Sequence, residues 1–139
     1  MDLGLQNKTA LVAAASKGLG RAVAEELSSE GARVAICSRN ETLIKKVAEE
    51  ISNKTGNEVI GFQADVSYSE EVTGLVSKVA DQFGTIEILV TNAGGPSPGT
   101  FESIDNADWL AAFHLTLLSV VDLCRATIPY MKTNNWGRI

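Results

Sequence analysis

The chain has 139 residues, 45% of them hydrophobic, and a formal net charge of −5 at pH 7. That is one domain's length with enough apolar residue for a sizeable core, which excludes a disordered chain. The acidic balance, without any basic run, argues against a nucleic-acid or membrane-surface partner.

The first residues, Met1-Asp2-Leu3-Gly4, do not form a positive region leading into a long apolar run, so no signal peptide is expected. Nor is any stretch expected to reach membrane-span length. Cys37 and Cys124 lie far apart with no metal-ligand spacing. Both stand in apolar contexts and read as buried free thiols, which fits a reducing, cytoplasmic compartment.

In chain order, the first strand is expected over Thr9 to Ala14. A small-residue loop follows, Ser16-Lys17-Gly18-Leu19-Gly20, and a helix from Gly18 to Ser29 starts at once. Strand, tight glycine loop and helix N-terminus together make an anion site. The glycines let backbone approach a ligand, and the first helical N–H groups have no partner within the helix. With the helix dipole they favour a phosphate. The usual G-x-G-x-x-G lacks its third glycine here, since Val23 stands in that place. A wider pattern fits better, with the small residue Ala14 four positions before Gly18. The competing reading is a plain strand-to-helix turn. Leu19, Val23 and Leu27 make the helix's expected inner face, and Gly31 its stop.

The second strand, Arg33 to Cys37, is a continuous apolar run of the kind that suits a parallel sheet covered on both faces. Ser38-Arg39 comes next, where dinucleotide folds place a carboxylate for the ribose hydroxyls. A guanidinium pairs instead with a 2′-phosphate, and Lys17 adds a second cation near the same place. NADP(H) is therefore expected over NAD(H), against the alternative of a solvated arginine at a helix start.

Asn40 is the N-cap expected for the second helix, with Leu43, Ile44, Val47 and Ile51 as its apolar stripe. The third strand, Glu58 to Ala64, ends in Asp65-Val66. There a carboxylate can accept from an adenine amino group while the valine covers the ring edge. Ser67 or Ser69 is the expected cap of a helix to Phe83, with Val72, Leu75, Val76 and Val79 facing in and Gly84 stopping it. The fourth strand, Ile86 to Thr91, runs into Asn92-Ala93-Gly94-Gly95. Small residues here let a flat ligand pass close to backbone, and the Asn92 amide can tie neighbouring strands. A proline-containing loop leads to a last helix, from about Asp105 or Asn106 to Lys132. It is apolar nearly all round, with Leu110, Phe113, Leu117, Val120, Val121 and Cys124 on one side, so it is buried or at an interface. His114, the single histidine, reads as a packed or surface residue.

The motif set resembles the short-chain dehydrogenase/reductase family over the whole chain. Its T-G-x-x-x-G-x-G loop is matched by Ala13-Ala14-Ala15-Ser16-Lys17-Gly18-Leu19-Gly20, its Asp-Val by Asp65-Val66, and its Asn-Asn-Ala-Gly by Thr91-Asn92-Ala93-Gly94. Ala13 and Ala14 depart from the usual threonine and glycine; alanine at 14 fits if φ there is negative. Lys17 with Ser38-Arg39 is similar to the family's NADP-preferring, 3-oxoacyl-carrier-protein-reductase-like members. The resemblance implies a single Rossmann-like, doubly wound parallel α/β domain over residues 1–139, strand order 3-2-1-4, incomplete after the start of a fifth strand. The cofactor-binding residues it implies are Ala14, Ser16, Lys17, Gly18, Leu19, Gly20, Ser38, Arg39, Asp65, Val66, Asn92, Ala93 and Gly94.

The family's proton-relay asparagine falls on Thr116. Its catalytic serine and Tyr-x-x-x-Lys pair are not among the 139 residues: Tyr68 is followed four on by Val72, and Tyr130 by Asn134. The expectation is the NADP(H)-binding portion of an oxidoreductase acting on a small carbonyl or alcohol, inactive alone and homo-oligomeric. The alternatives are a non-enzymatic nucleotide-binding or assembly module and, more weakly, a methyltransferase-type domain, against which Ser38-Arg39 argues. A missing fifth strand is expected to leave the fourth as a long apolar edge.

Overall fold

The computed structural model describes residues 1–139. Thr9–Val12 (β1), Arg33–Ser38 (β2), Val59–Gln63 (β3) and Ile88–Val90 (β4) form one parallel sheet in the order β3-β2-β1-β4. The connecting helices are Gly18–Ser29 (α1), Glu41–Thr55 (α2) and Ser69–Phe83 (α3). Asn106–Phe113 (α4) and Ser119–Thr133 (α5) follow β4, joined by a π turn over His114–Leu118. The fold is the doubly wound, Rossmann-like one, with the expected strand order.

Successive strand side chains point to opposite faces, and the two faces are covered by different helices. Leu11, Ala35, Cys37 and Leu89 pack with Val72, Leu75, Val76 and Val79 of α3 and with Leu123 and Met131 of α5. Ala10, Val12, Val34, Ile36 and Ile88 pack with Ala24 of α1 and with Ile44, Val47 and Ile51 of α2. Continuous apolar runs in the sequence are therefore two cores read alternately. Burying one such valine, leucine or isoleucine contributes about 1.5–3 kcal/mol, so each helix is held mainly by this packing.

Capping follows local chemistry. Asn40 accepts from Leu43 N–H at 2.9 Å. Asp105 accepts from Asp108 N–H, and the Asp108 carboxylate accepts from Asp105 N–H, closing a capping box. Gly84 ends α3 at φ 83, a left-handed value.

Four expectations are corrected. On α1 the inward face is Gly20, Ala24 and Ser28, whereas Leu19 is 81% exposed and Val23 borders solvent. Of the expected face only Leu27 packs on the core, and at Gly20 the loop after β1 and Asn92 leave no room for a side chain. On α2, Leu43 stands out in solvent, one position before the buried stripe of Ile44, Val47, Ala48 and Ile51. Neither Ser67 nor Ser69 caps α3: Tyr68 holds the N-cap position without a side-chain bond, while the Ser67 hydroxyl donates to Asp65. Cys37 is fully buried, but Cys124 is only half-buried.

The end of the sheet also differs from expectation. β4 has three residues, a short edge, and Arg138 already lies beside it: a parallel bridge joins Ile88 and Arg138. Leu89 N–H donates to Arg138 O, and Arg138 N–H to Glu87 O. Below it the Glu87 carboxylate accepts from Lys8 Nζ at 2.7 Å and from Thr9 N–H. Lys8 Nζ and the Arg138 guanidinium both lie over the Trp136 ring, at 4.4 and 4.8 Å.

The run Asn106–Thr133 is 28 residues long, with a mean hydropathy of 1.4 in its apolar window. Contrary to expectation, it is long and apolar enough to cross a membrane, by length and composition. Its second half is committed to the domain, since Leu123, Thr127 and Met131 are buried. Its first half buries nothing: no residue of α4 or of the π turn is buried.

Candidate functional site

The strand order reverses between β1 and β4, and the crevice opens at the carboxyl ends of the strands there. Backbone bonds hold the crevice floor. Ala13 N–H donates to Val90 O, and Ala15 N–H to Cys37 O. The Asn92 side-chain amide donates to Ala13 O at 3.2 Å and to Ala14 O at 3.0 Å, so the end of β4 grips the loop after β1. A Cβ on Gly20 would stand 2.7 Å from Ala14 O and 2.7 Å from Asn92 Nδ2. Only glycine lets the helix start this close to the loop.

Ala14 has φ 48, in the left-handed region. The condition under which alanine fits without strain is not met, and the position carries a cost of about 1–2 kcal/mol that glycine would avoid. The N-cap of α1 is Lys17, whose side chain caps nothing, so the first helical N–H groups stay free toward the crevice.

A cleft of about 650 Å³ opens above this floor, within the range of small-molecule sites. Ala14, Ser16, Lys17, Ser38, Arg39, Asp65, Val66 and Gly94 line it, eight of the residues picked out in the sequence. Gly18, Leu19, Gly20, Asn92 and Ala93 do not. Gly20 and Asn92 act from behind by fixing the loop. Leu19 points into solvent beside it. Gly95, expected on the ligand-binding edge, also lines the cleft, and the residues not picked out as ligand-binding include Ser67, Tyr68, Ala111, His114 and Leu115. Spacing from Asp65 and from Trp109 was the available signal for Tyr68 and His114, but neither belongs to a motif.

Lys17 and Arg39 are exposed and enter no ion pair, unlike Lys8, Arg21 and Arg33. Arg39 is held by its backbone, whose carbonyl accepts from Gln63 Nε2 at 3.1 Å. Asp65, just past the end of the neighbouring β3, is pinned: its Oδ1 accepts from Ser67 N–H at 3.0 Å and from the Ser67 hydroxyl at 2.6 Å, while its own N–H donates to the Glu71 carboxylate. Behind them burial pushes the Cys37 thiol up to about 11, with Asp65 adding to the rise and an Ala14 backbone hydrogen bond opposing it. Cys37 is thus held as a neutral thiol in the core behind the cleft. The Thr116 hydroxyl donates to Ala112 O at 2.7 Å, one turn back on its own helix.

Glycine loop, free helix N-terminus, two unpaired cations and a pinned carboxylate around one switch-point crevice define a nucleotide-binding class of α/β domain. The model of the short chain dehydrogenase family matches residues 8–139. The chain belongs to that family. It is 36% identical over 135 residues to the 3-oxoacyl-acyl-carrier-protein reductase FabG of Haemophilus influenzae, covering 97% of this chain and 54% of that one. It is 31% identical over 136 residues to the 2,3-dihydro-2,3-dihydroxybenzoate dehydrogenase of Bacillus subtilis, covering 98% and 52%. The L-sorbose reductase of Gluconobacter frateurii, solved with NADPH and L-sorbose, superposes with a TM-score of 0.94 at 31% identity, covering 99% of this chain and 52% of that one. The chain therefore spans about half the length of the relatives it matches.

Proposed function

We propose that these residues are the NADP(H)-binding portion of a short-chain oxidoreductase acting on a small carbonyl or alcohol. The observation that carries the reading is the pair of unpaired cations, Lys17 and Arg39, on the same cleft as the free N-terminus of α1. A 2′-phosphate needs that positive corner, and a carboxylate there would repel it. The N–H groups at the start of α1 receive the pyrophosphate, and Gly20 lets them come close. Asp65 accepts from the adenine amino group through the oxygen that Ser67 leaves free. Gly94 and Gly95 let the nicotinamide end run along the backbone. When bound, NADPH supplies a hydride to a carbonyl carbon, or its oxidised form takes one from an alcohol. The proton that balances the alkoxide needs a positioned donor, and the family's serine and Tyr-x-x-x-Lys are not within these 139 residues. By itself this stretch is accordingly proposed to bind and orient but not to reduce. The free thiols fit a reducing, cytoplasmic setting.

The test is a calorimetric titration of the chain with NADPH and with NADH. Saturable binding that favours NADPH is expected. Arg39→Ala and Lys17→Ala should each weaken NADPH about ten-fold and leave NADH unchanged, the scale of a charge-assisted hydrogen bond. Binding of neither overturns the reading.

One observation favours a second reading, a non-enzymatic nucleotide-binding or assembly module: the Thr116 hydroxyl is spent on Ala112 O where the family holds a relay asparagine. A reading frame that continues into a serine and Tyr-x-x-x-Lys sinks that alternative.

A further inference from the structure

We propose that Tyr68 and His114 supply the aromatic faces that hold the purine of the bound dinucleotide. The inference rests on the nucleotide reading above and extends it to two residues outside every motif. They are the only ring side chains on the wall of the cleft. Tyr68 follows Asp65-Val66-Ser67 directly. Its N–H donates to Asp65 O at 3.2 Å and its carbonyl accepts from Val72 N–H at 3.1 Å, so its backbone is fixed on both sides. Yet its side chain is 61% exposed. An aromatic ring left in water on a rigid backbone is apolar surface available to a ligand.

His114 opens the π turn. Ser119 N–H donates to its carbonyl five residues back, the wider bond that defines such a turn. Ala111, His114 and Leu115 stand at i, i+3 and i+4, so the end of α4 and the first residues of the turn present one helical face. Here Ala111, His114 and Leu115 all border the cleft from that one wall. A purine has a polar edge and two apolar faces. Asp65, held by Ser67, serves the edge. Tyr68, from the entry to α3, and His114, from the π turn, serve the faces by stacking.

Two measurements test this. His114 is the single histidine, so its imidazole proton signals are resolved in the unsubstituted chain. Titration with ADP should shift them upfield by ring current, saturating at the affinity calorimetry gives for ADP. Separately, Tyr68→Ala and His114→Ala should each weaken ADP and NADPH about ten-fold, the scale of one base–aromatic stack, while Tyr68→Phe and His114→Phe bind within about two-fold of the parent. No imidazole shift at saturating ADP overturns the proposal. So does a double alanine variant that binds ADP within two-fold of the parent, or a loss that phenylalanine does not restore. A chain that binds ADP, NADPH and NADH not at all overturns the nucleotide reading, and this inference with it; a chain that binds them without the shift overturns this inference alone.

Discussion

The Asn92 amide nitrogen lies 2.7 Å from the point where a Cβ on Gly20 would stand, and the same amide holds the carbonyls of Ala13 and Ala14. The two residues, 72 positions apart in the sequence, form one joint. Gly20→Ala pushes on a backbone carbonyl as well as on the amide, and the carbonyl cannot yield. The expected cost is about 1–3 kcal/mol, the scale of overpacking. Asn92→Ala removes two hydrogen bonds but adds no clash, and should cost about 1–2 kcal/mol. Denaturant unfolding measures both. Because the loop moves in either case, nucleotide affinity in a calorimetric titration should fall with stability, and more for Gly20→Ala. Equal stability of Gly20→Ala and the parent would remove the joint from the account.

Ala14 sits at φ 48 in the same loop. Ala14→Gly relieves the left-handed strain and gives back part of the gain as extra freedom in the unfolded chain. The balance is expected to stabilise by about 0.5–1 kcal/mol, read as a rise in thermal midpoint. A fall in the midpoint would mean that the alanine methyl contributes packing that outweighs its strain.

Much of this site was legible because it is local. Glycine at 20, Asp65-Val66 and Asn92-Ala93-Gly94 stand at strand ends, and strand ends in a parallel sheet meet at one edge. The continuous apolar strands signalled a sheet covered on both faces for the same reason. What sequence reasoning missed depends on distance between elements. The inner face of α1 was assigned to Leu19, Val23 and Leu27 by their spacing; Leu27 does pack on the core, but the buried residues are Gly20, Ala24 and Ser28, and Gly20 is selected by the loop and Asn92 close against it. Ala14 takes its positive φ in a loop whose carbonyls are bonded by Asn92, a residue far along the chain that local sequence does not bring into view. His114 belongs to no motif, and only the way α4 lies against the cleft puts it on the wall beside Ala111 and Leu115. β4 was drawn too long because apolar residues beside it, Ile86 among them, are buried without being paired as strand.

Cys37 gives a pH dependence with a definite sign. Burial raises its pKa from 9.0 to about 11. In the unfolded chain the thiol ionises near 9, while the folded chain keeps its proton until about 11. Between those values the unfolded state binds fewer protons, so stability falls as pH rises. The contribution is fully present below pH 9.0 and is lost through pH 11, a drop of roughly 2–3 kcal/mol at one pKa unit per 1.36 kcal/mol. Denaturation midpoints measured from pH 8 to 11 should show it, and Cys37→Ala should flatten the slope. An unchanged slope in the alanine variant would assign alkaline unfolding to other groups.

An unpartnered apolar surface runs along the outer side of α4 and α5. Leu110, Phe113, Leu117, Val121 and Ile128 are exposed there, together with Trp109. They recur every three to seven residues along one helical run, which makes a stripe and not scattered contacts. The sheet edge is a poor route to association, since β4 is only three residues long and Arg138 already bonds to it. Self-association is therefore expected through the helices. Sedimentation equilibrium at tens of micromolar should show a dimer or higher species. Phe113→Asp and Leu117→Asp should each weaken it about ten-fold or more, since a central apolar anchor contributes roughly 1–3 kcal/mol. Both positions are exposed in the isolated fold, so the thermal midpoint at high dilution should stay within about 2 °C of the parent, as surface substitutions usually do. Helical length and hydropathy leave lipid as the competing occupant. Co-sedimentation with neutral phosphatidylcholine vesicles, with a monomer in their absence, would assign the stripe to a membrane and remove the protein interface.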